Sequence, residues 1–270
     1  MAAEPSIAAL GTGERRDFFY WRLFGTALSY AVFGAGAVVV GLVLLPLVRF
    51  VATTREQRRQ RARVLMRKSL RLFVAIMRGL GGMTYEFIGV DRLGRPGQLI
   101  VANHPSLIDV VFLLGFAPAP GCVVKAGLWR NPITRWAVTL AEYIANDSTA
   151  TMIEQASEAL REGQHVIMFP EGTRTVPGKP FVFHRGAANV ALRAATVVTP
   201  VYVRCEPTTL TKAEPWHRIP NRRPRFTLVV GDDIDLEAFR AAGPLPIASR
   251  RLNDFFHSHF QDRLRSLMGR

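Results

Sequence analysis

His104 and Asp109 stand with four residues between them in Asn103-His104-Pro105-Ser106-Leu107-Ile108-Asp109. Across the first turn of a helix that spacing lets the two side chains meet. An aspartate that accepts the Nδ1–H of a histidine fixes its tautomer and stabilises the imidazolium. The free Nε2 can then take a proton from a substrate hydroxyl, a step typically worth ~10²–10⁴ in rate. The bland alternative is a histidine that caps the helix and an aspartate in a surface ion pair. Neither Ser106 nor Cys122 has a nucleophile's sequence setting, so direct attack by the substrate is simpler than a covalent enzyme intermediate.

A second polar stretch is Phe169-Pro170-Glu171-Gly172-Thr173-Arg174. Gly172 permits close approach of backbone to a ligand. Arg174 can grip a phosphate through two N–H groups. Glu171 can receive a hydroxyl or hold Arg174 in place. Taken alone, the hexapeptide is equally a polar turn with an internal ion pair.

Both stretches follow apolar runs that read as strands. TYEFIGV (84–90) and QLIVAN (98–103) are expected strands around the turn DRLGRPG, followed by a helix over 105–115. CVVKAG (122–127), HVIMF (165–169), VVTPVYVRC (197–205) and RFTLVVG (225–231) read as further strands. Helices are expected from Pro132 to Glu142, from a Ser148 cap to Gly163, over 185–195 and over the last 20 residues. This alternation predicts an α/β fold, a mostly parallel central sheet flanked by helices. Strand C-terminal ends are where open α/β sheets place ligands, and both polar stretches fall there.

The chain has 270 residues, 49% of them hydrophobic, and a net charge of +14. General disorder is excluded, and two cysteines exclude a disulfide framework or a cysteine-built zinc site. Residues 1–83 hold 13 basic and 4 acidic side chains, so most of the excess charge lies in the first third. There, Leu23 to Val48 are 26 residues without a formal charge. As a helix they would span roughly 39 Å, against a hydrocarbon core of about 30 Å. That is too long for a signal-peptide core. Residues 1–50 are therefore expected to be an N-terminal membrane helix or two-helix anchor, spanning or half-inserted. Residues 51–83 form a basic amphipathic helix, either on an anionic membrane surface or packed on the domain. Residues 84–270 form the catalytic domain. The arginines after the apolar run place that side in the cytoplasm, at the inner membrane.

With these residues in view, NHPSLID resembles the N-H-x-x-x-x-D block of the glycerolipid acyltransferase superfamily, and FPEGTR resembles its F-P-E-G-T-R/S block. Lys125, the FHRG run with Arg185, and Val198-Thr199-Pro200-Val201 are similar to further family positions. The resemblance covers about 84–230. It implies that His104, oriented by Asp109, acts as general base on a glycerol-type hydroxyl. That hydroxyl attacks an acyl thioester carried by coenzyme A or acyl carrier protein, as co-substrate, with no metal and no other cofactor. The resemblance also implies that Glu171, Gly172, Thr173 and Arg174 bind the acceptor, with Lys125 and Arg185 nearby, and that Pro200 and Val201 shape the acyl pocket.

The acceptor implied is a lysophospholipid, 1-acyl-sn-glycerol-3-phosphate by default, giving phosphatidic acid. Members that form phosphatidic acid carry a further arginine in a G-x-x-[FY]-[IV]-[DN]-R segment. The matching stretch here is Glu142 to Asp147, with Asp147 at the arginine's place and Arg130, Arg135 or Arg185 to compensate. A lyso-aminolipid or specialised polyene acceptor therefore stays open. The alternative of another class is a non-catalytic basic protein binding membrane or nucleic acid. Against nucleic acid, the charge clusters beside the apolar segment, and neither zinc-finger spacing nor an RNA-recognition signature is present.

Overall fold

The computed structural model describes residues 18–176, 178, 182–212 and 214–268. Residues 1–17 of the expected anchor lie outside them. Among the described residues, seven strands form one sheet in the order β1-β7-β6-β2-β5-β3-β4. These are β1 (Thr84–Ile88), β2 (Gln98–Ala102), β3 (Gly121–Val124), β4 (Ile144–Ala145), β5 (Val166–Met168), β6 (Val197–Glu206) and β7 (Arg225–Val230). Every pairing is parallel except β6 with β7. The mostly parallel α/β sheet expected from the alternation is the fold observed.

The helices are α1 (Phe19–Val39), α2 (Leu45–Val51), α3 (Arg55–Gly79), α4 (Ile108–Phe116), α5 (Pro132–Leu140), α6 (Thr149–Arg161), α7 (Gly186–Ala194), α8 (Glu237–Arg240) and α9 (Leu245–Met268). A π-helical turn, Val40–Leu44, joins α1 to α2 in one helix over Phe19–Val51.

All five residues of β2 are buried, as a strand covered on both faces must be. Successive side chains point to opposite faces. Ile100 and Ala102 therefore join a core with Phe73, Val74, Met77, Phe112 and Leu45. Leu99 and Val101 join a second core with α6, α7 and α9, through Leu160, Val190, Phe256 and Phe260. Pro200 sits inside β6 without breaking it. Its carbonyl accepts from Gly231, beyond the last β6–β7 pair at Val201 and Val230. The missing N–H thus faces the end of that ladder, where it is dispensable.

Three expectations are corrected. β1 and β2 do not flank a hairpin, because β7 and β6 lie between them and β1 pairs with β7. The third strand ends at Val124, and Ala126–Trp129 form a 3₁₀ turn. The helix expected from Pro105 begins only at Ile108, because Ser106 is drawn into a turn by Asp109. Ser148 occupies the N-cap position of α6 but gives no side-chain cap.

The long apolar helix does not stand away from the domain. Its small and polar residues Arg22, Gly25, Thr26, Ser29 and Gly41 are buried, as is Leu45, while Phe24, Val32, Leu42, Val43 and Leu47 face outward. Helix α3 likewise packs on the domain through Leu70, Phe73, Val74 and Met77. Two of its arginines turn inward: Arg59 meets Glu142 and Glu162, and Arg63 donates to the carbonyl of Ala141 and to Gln164. The basic helix of 51–83 is thus part of the packed domain, and it leaves Arg61, Lys68, Arg71 and Arg78 on its exposed side.

The seating of the apolar helix is tightest at Gly41, where a Cβ would lie 2.0 Å from the carbonyl oxygen of Ile133. Gly41→Leu is expected to cost roughly 1–3 kcal/mol by overpacking. Gly36, with nothing within 4 Å of its Cβ position, should accept alanine at no cost. Denaturant unfolding of the two variants checks this, and equal stability would contradict the packing.

Candidate active site

The site is assembled by one sheet pairing. β2 and β5 are neighbours, with Val101 opposite Met168, so the turns that follow them emerge side by side. His104 follows β2 and Phe169-Pro170-Glu171 follows β5, and their rings stack, with the His104 and Phe169 centroids 4.3 Å apart. Because β3, β4 and β6 run parallel to them, Lys125, Asp147 and the connection after Glu206 leave the same edge.

His104 Nδ1 lies 3.1 Å from Asp109 Oδ2, and the same oxygen accepts the Ser106 N–H at 2.6 Å. Asp109 is fully buried rather than in a surface ion pair. Burial pushes its carboxyl above the usual range, opposed by the His104 hydrogen bond, the Ser106 amide and the nearby Arg174 charge. Its position in the first turn of α4 adds the favourable helix-end field. His104 keeps partial exposure, 15% for its side chain. Its Nε2 engages no described residue, so a substrate hydroxyl can reach it. This is the arrangement of an imidazole base with an orienting carboxylate.

Glu171 is buried and both its oxygens are occupied. Oε1 accepts the His104 backbone N–H at 2.7 Å, and Oε2 accepts the Thr175 hydroxyl at 2.7 Å. The Thr175 N–H donates in turn to the His104 carbonyl at 2.7 Å. Burial raises the Glu171 carboxyl, opposed by the Thr175 and His104 hydrogen bonds. Glu171 therefore braces the His104 turn and does not hold Arg174. Arg174 instead donates through Nη1 to the carbonyls of Leu210 and Thr211, both at 2.9 Å. Gly172 has φ +64°, a left-handed conformation that favours glycine. Gly172 is exposed and Thr173 partly so, in the same turn.

Of the remaining expected residues, Lys125 and Arg185 are exposed on the site's edge of the sheet. Pro200 and Val201 lie within β6, paired with Val101 and Ala102, and Val201 is packed in the core. Asp147 is exposed at the end of β4 and accepts the Ser148 N–H. Counted from Tyr143 and Ile144, the arginine position of the family segment falls on Asn146, one residue before Asp147, and neither side chain is cationic. Burial pushes the Cys122 and Cys205 thiols up to about 12, which makes them poor nucleophiles. Among the described residues, no three of His, Cys, Asp and Glu converge to hold a metal ion.

Sequence reasoning missed three positioning groups. The Asn103 side chain donates to the Val203 carbonyl and accepts its N–H, extending the β2–β6 ladder to the residue before His104. Thr175 ties Glu171. The Leu210 carbonyl takes the Leu107 N–H at 3.1 Å as well as Arg174. Asn103 was visible as a polar residue ending an apolar strand; the other two carry no local signal.

The chain is similar to known proteins in sequence and fold. Residues 84–204 match the Acyltransferase family model. The chain is 29% identical over 185 residues to 1-acyl-sn-glycerol-3-phosphate acyltransferase of Pseudomonas aeruginosa, covering 65% of this chain and 69% of that protein. It is 27% identical over 164 residues to the Saccharomyces cerevisiae protein of the same name, covering 56% and 52%. The crystal structure of the 1-acyl-sn-glycerophosphate acyltransferase PlsC from Thermotoga maritima superposes with a TM-score of 0.67 over 90% of this chain and 96% of that one. At 20% identity that likeness speaks to the fold. Motifs, sheet and relatives converge: this chain is an acyltransferase, its residues 84–204 carry the Acyltransferase family's pattern, and its relatives support the glycerolipid acyltransferase superfamily.

Proposed function

We propose that this enzyme moves a fatty acyl chain from a thioester of coenzyme A or acyl carrier protein to the free hydroxyl of 1-acyl-sn-glycerol-3-phosphate, giving phosphatidic acid. The observation that carries the reading is the His104–Asp109 pair, one nitrogen held by a buried carboxylate and the other open. In the proposed step, His104 Nε2 takes the acceptor's hydroxyl proton as that oxygen attacks the thioester carbonyl. The tetrahedral adduct collapses, the carbon–sulfur bond breaks, and the departing thiolate receives the proton from the imidazolium. Asp109 keeps Nδ1 protonated throughout and stabilises the transient cation.

Arg174 is the proposed contact for the acceptor phosphate. Two carbonyls hold Nη1, which leaves the rest of the guanidinium for a bidentate grip. Lys125 and Arg185, exposed on the same edge, add positive potential. The names of these relatives support lysophosphatidate as acceptor. The uncharged Asn146 and the acidic Asp147 favour, as a second reading, an acceptor whose head group is less anionic.

The enzyme is proposed to work at a membrane. The outward face of the Phe19–Val51 helix is apolar, and Leu107, between His104 and Asp109, is 43% exposed. Trp216, 46% exposed, stacks near Tyr30 of that helix, with centroids 5.9 Å apart. These residues offer the site's mouth to acyl chains. Since the helix is seated on the domain from Arg22 to Leu45, it is proposed to enter the bilayer alongside the domain, not as a projecting rod.

His104→Ala should lower acyl transfer by ~10²-fold or more, with membrane attachment unchanged. Asp109→Asn should also cost heavily, by releasing the tautomer. Retention of more than about a tenth of the activity in His104→Ala would remove the general-base role. Glu171→Ala leaves the buried His104 N–H unpaired, a loss of about 1–3 kcal/mol, whereas Glu171→Gln keeps an acceptor oxygen and should lose clearly less. Denaturant titration separates the two. Arg174→Lys should raise the acceptor KM while the donor KM stays put, because a point charge replaces the fork. Arg174→Ala with unaltered acceptor kinetics would move the phosphate site elsewhere. Asp147→Arg, assayed with phosphate and uncharged acceptors in competition, distinguishes the two acceptor readings.

A further inference from the structure

We infer that Arg22, on the apolar helix, is a positioning residue for the acyl-transfer site, acting through the connection between β6 and β7. Arg22 is 2% exposed. Its Nη2 donates to the carbonyls of Pro220 at 2.8 Å and Asn221 at 2.5 Å, and its Nη1 to that of Arg222 at 3.2 Å. A guanidinium buried in this way is costly unless its donors are matched, and consecutive peptide carbonyls match them. The fork therefore clamps the backbone at 220–222 regardless of the side chains there.

The other half of that connection reaches the chemistry. Leu210 holds φ +54°, an unfavourable conformation for a non-glycine residue that persists only where its surroundings enforce it. Its carbonyl accepts both the Leu107 N–H and Arg174 Nη1, and the next carbonyl, of Thr211, accepts Arg174 again. The two halves face the same small space. Leu210, Trp216, Ile219 and Pro220 line one small apolar cavity together with Thr26 of the apolar helix and Ile108 of the catalytic turn. Thr26 lies four positions after Arg22, so one helix face meets the connection at both points. Beyond Arg222, the Pro224 carbonyl pins the connection to Thr84. Freed from Arg22, the 220–222 backbone loses its clamp, and the cavity wall that Ile219 and Pro220 share with Leu210 loosens. The carbonyls that orient Leu107 and Arg174 then spread over more positions.

This inference rests on the reading above in which Arg174 binds the acceptor, so the test has an arm that does not. Full-length protein in detergent is compared as wild type, Arg22→Met and Arg22→Lys. Hydrogen–deuterium exchange is followed in segments 103–110 and 207–222. In Arg22→Met, exchange in both segments should rise about tenfold, as for loss of a local clamp, while α7 and α9 stay protected. Lysine, which cannot fork across three carbonyls, should fall between. The acceptor KM should rise about five- to tenfold with the donor KM within about twofold, and Arg22→Met should add nothing further in an Arg174→Ala background. Unaltered exchange at 103–110 in either folded variant overturns the inference, whatever Arg174 binds. A uniform loss of protection with both KM values shifted alike also overturns it, by showing a purely global role. If Arg22→Met does not fold, Arg22→Lys carries the same comparison. Failure of the acceptor reading looks different: Arg174→Ala then leaves the acceptor KM unchanged while the exchange response to Arg22 persists.

Discussion

One buried carboxylate, that of Glu171, connects the two turns on which the chemistry depends. Burial of a carboxylate is unfavourable by several kcal/mol unless hydrogen bonds replace its water. Here one oxygen is taken by the backbone of His104 and the other by Thr175, whose own N–H returns to the His104 carbonyl. The result is a closed ring of hydrogen bonds between the end of β2 and the end of β5. It fixes the histidine's main chain, while Asp109 fixes its ring and Phe169 covers one face of it. The imidazole is thus held from three directions, the preorganisation that the proposed general base would need.

What was legible in the sequence was local. Buried parallel strands are continuous apolar runs, so β2, β5 and β6 stood out, and polar residues directly after them marked the ligand edge of the sheet. The spacing of His104 and Asp109 carried their contact, although through a turn ahead of α4 and not within its first helical turn. The alternative in which Glu171 holds Arg174 was misplaced, because its partners are a main-chain N–H and a hydroxyl. Main-chain partners leave no trace in residue type. The same applies to Arg174 and Arg22, which both spend their donors on carbonyls of the 207–224 connection. That connection has neither periodicity nor a motif, and its importance lies wholly in what it touches.

Charge was similarly deceptive on α3. A run of arginines beside an apolar segment reads as a membrane-facing stripe, yet Arg59 and Arg63 are turned into the domain. There they tie the start of α3 to Glu142, Glu162 and the carbonyl ending α5. Long aliphatic stems let arginine cover apolar surface while its head finds partners, so sequence alone does not say which way such a residue points. Arg61, Lys68, Arg71 and Arg78 of α3 are exposed and supply the surface potential that an anionic membrane would meet.

The apolar helix has two fixed points, the Arg22 fork on residues 220–222 and the Gly41 seat against Ile133. Nineteen residue steps separate them, roughly 28 Å of helix. A helix held at both ends is a gauge of set length. Adding or removing one residue between the two points would displace one against the other by about 1.5 Å and turn it by about 100°, so both seats could not be occupied together. Its outward face, by contrast, leaves Phe24, Val32, Leu42, Val43 and Leu47 exposed and is free to exchange one apolar residue for another. In this segment, therefore, evolutionary drift in composition is cheap and drift in length is forbidden, the reverse of what holds for an ordinary membrane tether.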